Sequence, residues 1–211
     1  NYIKAIYLEC RKIDDDILPI GKLAQCLSVV PGTATTMVKS LYEAGLVAYE
    51  PRVGTKLTER GEVLALHVLR RHRLVELFLV EILQMDWSEI HDEAEQLEHV
   101  ISDRVLEKID ALLGHPQYDP HGDPIPSHSG QLHERNLQNL INCNPGQETI
   151  VARVLDQEPE FLQFAEKNGL VPGNTVKVLQ HDEMANAIEV ETALGKTLTL
   201  GKQAAKKIEV Q

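Results

Sequence analysis

The hydrophobic period of this chain changes once, and that change limits what it can fold into. Up to about Leu113, apolar residues recur every three or four positions, which places them on one face of a helix. From Thr149 onward they alternate in short runs separated by glycine, the pattern of strands. Residues 114–147 lie between and are rich in Pro, Gly, His, Asn and Ser. Within them Gly122-Asp-Pro-Ile-Pro126 and Asn144-Pro-Gly146 form turns and stop any helix. A chain of 211 residues allows one large domain or two to three small ones. The expected class is mainly α with a small β part, divided into a helical front and a β back.

Residues 2–12 put Ile3, Ile6, Tyr7 and Cys10 on one helical face. Asp14, Asp15 and Asp16 make a polar turn, and a short helix runs from about Ile20 to Leu27. Ser28 to Gly32 reads as a turn, with Thr33 as the cap of a helix that stops at Gly45. Leu46–Glu50 and Val53–Leu57 read as two strands, with Pro51, Arg52 and Gly54 supplying the turn. This is the element order of a winged helix-turn-helix over residues 1–64. In such a unit the helix after the turn enters the major groove and the hairpin lies along the backbone. Thr33, Thr35, Thr36 and Lys39 are the candidate groove contacts, and Lys22, Arg52, Lys56 and Arg60 the candidate phosphate contacts. The bland alternative is a tri-helical unit that only packs protein.

The net charge of -11 speaks against nucleic acid, but it is unevenly spread. Residues 1–75 carry 11 Lys/Arg and 8 Asp/Glu, residues 76–130 carry 2 and 13, and residues 131–211 carry 8 and 11. A mildly basic head joined to a strongly acidic middle suits one region for phosphates and another for cations. Cys10, Cys26 and Cys143 form neither a zinc spacing nor a disulfide framework. No apolar run is long enough to span a membrane, and no secretory leader is visible, although the chain opens mid-pattern at Asn1. The expected location is the reducing cytoplasm.

Thr58 opens a long helix with Gly61 inside its first turn. Its apolar stretch Leu74–Leu83 is broad enough to face both its own domain and a second subunit, so a homodimer is expected. Trp87-Ser88-Glu89 opens the next helix, which runs to about Leu113. Residues 65–130 are then a metal-binding and dimerisation domain, 131–147 a tether with a short helix at Leu132–Ile141, and 148–211 a small β-barrel. The barrel strands are Ile150–Leu155, Thr175–Leu179, Ala187–Glu191 and Thr197–Leu200, with a helix over Glu158–Asn168.

His91, Glu95, Glu98 and His99 recur at helical spacing, and His72 and Glu76 on the preceding helix can face them. Imidazole with carboxylate is a ligand set for Mn²⁺, Fe²⁺, Co²⁺ or Zn²⁺. The bland reading is a solvated acidic face, to which Asp92, Glu93 and Glu107 belong. His67, His115, His121, His128, His133 and His181 show no comparable pattern and read as surface or tether residues. The zinc-protease motif, nucleophile elbow, phosphate loop and dinucleotide fingerprint are all absent, so no enzyme is expected. Two other classes fit the same residues. One is a metal-binding enzyme or storage module with a three-helix head. The other is a winged-helix regulator whose effector is a small molecule held by the barrel.

The segment HRLVELFLVEILQMDWSEIHDEAEQLEHVISD resembles the metal-sensing dimerisation region of the diphtheria toxin repressor family. LSVVPGTATTMVKSLYEAGLVAYEPRVGTKLTERG is similar to its winged helix, HPQYDPHGDPIP to the segment after its dimerisation helices, and GLVPGNTVKV to its Src-homology-3-like (FeoA-like) domain. The resemblance implies an iron- or manganese-dependent repressor that binds palindromic operator DNA as a dimer and controls metal-uptake genes. It implies two sites. His72, Glu76 and His91 match an ancillary site to which the barrel adds Glu158, with Phe161 where the family has Gln and Glu160 or Gln163 as replacements. Glu95, Glu98 and His99 match a primary site completed by Asn1, where the family has Met or Asp. Lys4 stands where manganese sensors lacking the barrel have a Glu, which argues against their paired-metal arrangement. The iron-responsive branch has Cys at the position of Glu95. A carboxylate favours hard Mn²⁺, so manganese is expected with Fe²⁺ close behind, and Co²⁺, Ni²⁺ or Zn²⁺ can bind more tightly in vitro.

Overall fold

The computed structural model describes residues 1–13 and 17–211; the expected Asp14–Asp16 turn lies outside the described residues. The chain divides into two compact units. One comprises Asn1–Arg71 with Pro126–Gln131, and the other His72–Ile125 with Leu132–Gln211.

The first unit begins with helices α1 (Tyr2–Ile13), α2 (Ile20–Cys26) and α3 (Pro31–Glu43). Strands β1 (Val47–Glu50) and β2 (Gly54–Leu57) then pair antiparallel, Val47 opposite Leu57 and Glu50 opposite Gly54. Its core is apolar: Ile6, Leu18, Leu23, Val38 and Val47 are buried against one another. Leu18 adds one more rung to the hairpin through paired backbone bonds with Thr55 of 2.8 and 2.9 Å. Thr33 does not cap α3. Val30 does, with extended backbone, because Pro31 is preset for the first helical position and needs no donor there. Gly45 follows α3 at φ +70°, the left-handed stop expected of it.

Thr58 caps the long helix α4 (Glu59–Glu81), accepting from Gly61 N at 3.1 Å and donating to Gly45 O at 2.9 Å. Gly61 is more than tolerated there. A Cβ at this position would fall 1.9 Å from Leu46 O, so only glycine lets the helix start against the hairpin. The division between the two units falls within α4, at Arg71/His72.

In the second unit the expected single helix from Trp87 to Leu113 is two: α5 (Ile90–Leu97) and α6 (Asp103–Leu112). Ser102 has extended backbone and accepts from Val105 N, so a new helix starts there. Glu98 is thereby the C-cap of α5, and His99 lies beyond it. No helix forms at Leu132–Ile141. That stretch holds β3 (Gln138–Asn139) and a 3₁₀ turn (Leu140–Asn142). The tether is shared between the units, residues 126–131 with the first and 132–147 with the second.

The β part contains β4 (Glu148–Val154), α7 (Pro159–Lys167), β5 (Thr175–Asp182), β6 (Ala187–Thr192), β7 (Thr197–Gly201), α8 (Lys202–Ala205) and β8 (Ile208–Val210). Its sheet order is β3-β8-β4-β5-β6-β7, antiparallel throughout. β3 and β8 are too short to show alternation in the sequence. Inward residues such as Val151, Val178, Ile188, Val190, Leu200 and Ile208 fill its core, and Trp87 is buried in the same apolar cluster.

Candidate metal centre

The second half of α4 places His72 and Glu76 one turn apart, and both side chains are interior, 5% and 1% exposed. α5 supplies His91 and Glu95, and the turn after it supplies Glu98 and His99. These residues converge. His72 Nε2 lies 2.9 Å from Glu76 Oε1 and 3.3 Å from His91 Nδ1. Its Nδ1 lies 2.7 Å from Glu98 Oε2. His91 Nδ1 lies 3.4 Å from Glu76 Oε1, and His99 Nε2 the same distance from Glu98 Oε1. Ligand atoms of His72, His91 and Glu95 fall within 4.8 Å of one another, as do those of Glu95, Glu98 and His99. The two groups share Glu95.

A third group is deeper. Glu76, Asp119 and His121 are all buried and bring their ligand atoms within the same 4.8 Å. Asp119 and His121 sit in the turn of the Pro/Gly run. His121 N and Asp123 N both donate to Asp119 Oδ1 at 2.9 Å, an Asx-type closure. Gly122 has φ +88°, and a Cβ there would lie 2.0 Å from Ala152 O, so the loop needs glycine twice over. His121 is only 1% exposed, which corrects its reading as a tether residue. Spacing along one helix cannot reveal a ligand that arrives from a loop. The available signal was a histidine and two aspartates held rigid among Pro and Gly.

The electrostatics of the third group suit a cation. Burial opposes charge on Glu76, yet hydrogen bonds from His72 and His91 outweigh it and hold the carboxyl far below the usual range. Burial pushes Asp119 well above its ordinary value, and the nearby Asp123 and Glu76 add to this against Arg73. Burial pulls the His121 imidazole down, against the attraction of Glu76. His121 Nε2 lies 3.1 Å from the Trp87 carbonyl, an acceptor only, so that nitrogen carries the proton. Its Nδ1 is therefore a bare lone pair, buried and without a hydrogen-bond partner among the described residues. A neutral imidazole fixed in this way beside two buried carboxylates fits a divalent cation, and the absence of thiolate favours a hard one.

Glu158 belongs to none of the three groups. It is exposed at the start of α7, its backbone N donating to Asp156 Oδ1 at 3.1 Å. Glu160 is likewise exposed, and Gln163 Nε2 donates to Ser88 Oγ at 3.4 Å. Asn1 is a residue of the first unit, and the three groups are built from the second unit alone.

On the first unit, Thr33, Thr36, Lys39, Arg52, Lys56 and Arg60 are exposed. Thr35 is half-buried, and its hydroxyl donates to Pro31 O at 2.8 Å; that of Thr36 donates to Gly32 O at 3.0 Å. Lys22 is half-buried and paired with Glu9 at 3.7 Å, which draws it toward its own domain.

Family models divide the chain in three. The iron dependent repressor N-terminal DNA binding domain matches residues 1–55, the iron dependent repressor metal binding and dimerisation domain residues 58–127, and the FeoA domain residues 138–211. The chain belongs to the iron-dependent repressor family. It is 38% identical over 113 residues to an uncharacterised helix-turn-helix transcriptional regulator of Methanocaldococcus jannaschii, covering 54% of this chain and 90% of that one. It is 34% identical over 127 residues to the iron-dependent repressor IdeR of Mycobacterium bovis, covering 59% of this chain and 54% of that protein's length. The fold is that of a solved manganese-dependent transcriptional repressor in complex with manganese: TM-score 0.89 at 40% identity, over 100% of this chain and 97% of the other. Among the described residues no helix is long and apolar enough to cross a membrane.

Proposed function

We propose that this repressor binds a palindromic operator duplex as a homodimer when loaded with Mn²⁺, with Fe²⁺ as the second candidate, and controls metal-uptake genes. The observation that supports it most is the buried convergence of His72, Glu76, Glu98, Asp119 and His121 in a chain whose first unit is a winged helix-turn-helix. All the donors are carboxylate oxygen or imidazole nitrogen. Residues 1–64 read DNA through Thr33, Thr36, Lys39, Arg52, Lys56 and Arg60. Residues 65–130 bind metal and dimerise, and residues 148–211 form the FeoA-like domain. Ile82, Leu83, Val100, Val105 and Leu112 are exposed apolar residues of the second unit, available to a partner copy. Glu95, Glu98 and His99 form the regulatory site, with Asn1 as fourth ligand by resemblance to the family. Asp119 and His121 complete a second site around Glu76.

Metal shifts the repressor only by its differential affinity for the DNA-competent state. A coupling of about 1–3 kcal/mol corresponds to roughly 5- to 150-fold in operator affinity. The test is fluorescence anisotropy of duplexes that the protein selects from a random pool in MnCl₂. Titration should show metal-stimulated binding to a palindrome, and Glu98→Ala or His99→Ala should abolish the stimulation with the fold intact. An unchanged metal response in both variants would remove the regulatory-site assignment.

A further inference from the structure

Asp119 and His121 are loop residues, and Arg73 ties that loop to α4. Arg73 follows His72 and precedes Glu76 by three residues, so it projects beside them from the same helix. It is 7% exposed. Its Nη1 donates to Pro124 O at 2.6 Å, its Nε lies 3.5 Å from Asp119 Oδ2, and its Nη2 lies 3.6 Å from Asp123 Oδ1. The guanidinium thus spans three acceptors of one loop, a task for its planar fork that a lysine ammonium cannot perform. The far side of the loop is tied to β4, where Val154 N donates to His121 O at 2.9 Å.

We propose that Arg73 is a positioning residue for the buried metal site: it fixes the Asp119–Pro124 loop so that Asp119 and His121 face Glu76. This rests on the reading that Glu76, Asp119 and His121 hold a divalent cation. Two effects of Arg73 on that cation have opposite sign. Its positive charge repels a metal, so its loss would tighten binding. Its anchoring presents two of the three ligands, so its loss would weaken binding. Anchoring dominates, because Asp119, Asp123 and the Pro124 carbonyl already offset the guanidinium charge, whereas Arg70 of α4 donates to Pro126 O at 2.7 Å, beyond the Asp119–Pro124 loop. Groups that orient metal ligands change metal affinity by about 10- to 100-fold when removed.

Trp87 makes the site separately readable. It is the only tryptophan of the chain and stacks on His121 with ring centroids 5.4 Å apart. Paramagnetic Mn²⁺ held by His121 quenches its emission, and an ion at a site that His121 does not serve quenches it less. Full-length wild type, His121→Ala, Arg73→Lys and Arg73→Met are titrated with MnCl₂, and the apo forms are melted. The expected result is strong quenching in wild type and its loss in His121→Ala. Arg73→Met should shift the quenching midpoint to about 10- to 100-fold higher Mn²⁺, and Arg73→Lys should shift it in the same direction. Arg73→Lys keeps charge and bulk, so it answers even if the methionine variant does not fold. A wild-type or tighter midpoint in Arg73→Lys, or a lowered apo melting temperature with an unchanged midpoint, overturns the positioning role. Equal quenching in wild type and His121→Ala overturns the site itself and the proposal with it.

Discussion

The two ends of α4 serve opposite kinds of interior. In the first unit the packed core is Ile6, Leu18, Leu23, Val38 and Val47, and the candidate DNA contacts Lys39, Arg52, Lys56 and Arg60 stand outside it. Changing those side chains leaves the packing alone. In the second unit His72, Glu76, Glu98, Asp119 and His121 are themselves interior. The candidate recognition surface of the head is separable from its fold, whereas the candidate metal ligands are part of theirs. A ligand of the first kind is a guest on a finished surface; one of the second kind completes a core.

The sharpest way to break this contrast is Glu76→Ala. Glu76 is the shared acceptor of His72 and His91, and removing it takes a partner from the buried His72 as well as from the more exposed His91. Breaking a buried ionic contact from one side costs about 3–5 kcal/mol. Urea unfolding of the apo protein, followed through Trp87, should show a loss of that size. A loss below about 1 kcal/mol would mean that the sensing core is no more structural than the DNA face. Metal should act in the opposite direction. Mn²⁺ at a hundred times its dissociation constant should stabilise the protein by about 2.7 kcal/mol. The same Trp87 transition measures it, and His121→Ala should lose the buried site's share.

What could be read from the chain follows the same divide. Helices and strands announce themselves through local periodicity, so α3, α4, β4, β5 and β6 fell where their residues recur. Gly45 and Thr58 announced their ends by chemistry. His72, Glu76, His91 and Glu95 were legible because a helix brings together residues close in sequence. Asp119 and His121 were not, since the loop that delivers them is folded by Gly122 against Ala152, a contact between residues thirty apart. The stop after Leu97 was missed for a related reason: Ser102 looks like an ordinary helix residue until its backbone is extended.

Acidification gives a third, smaller test, confined to the sensing half. The folded Glu76 carboxyl lies far below its ordinary 4.5, so its contribution to stability is present above pH 4.5 and is lost as the pH falls below it. Asp119 works the other way. Its folded value is raised well above 3.8, so its contribution is fully present below 3.8 and is lost as pH rises through the raised value. An ion at Asp119 displaces the proton it holds. Mn²⁺ binding should therefore release protons, and affinity should fall by up to about tenfold per pH unit of acidification while Asp119 is protonated. Calorimetry in two buffers of different ionisation enthalpy counts the protons, and Asp119→Asn should abolish its share. An equal release in that variant would place the proton elsewhere.

The smallest expected effect tests the other half of the contrast. Lys39 is exposed on α3 and takes no part in the core. Lys39→Ala should change unfolding free energy by no more than about 0.5 kcal/mol, the usual range for a surface substitution. If Lys39 neutralises one phosphate, the slope of log affinity against log salt should fall by about 1. The loss should be similar on operator and non-operator DNA, because a phosphate contact carries no sequence information. It should persist at saturating Mn²⁺, since a metal bound in the second unit cannot replace a charge on α3. A variant with wild-type salt dependence removes Lys39 from the interface. One that also lowers the Mn²⁺ response would join the head to the sensing core energetically, and the separation between surface and interior would no longer hold.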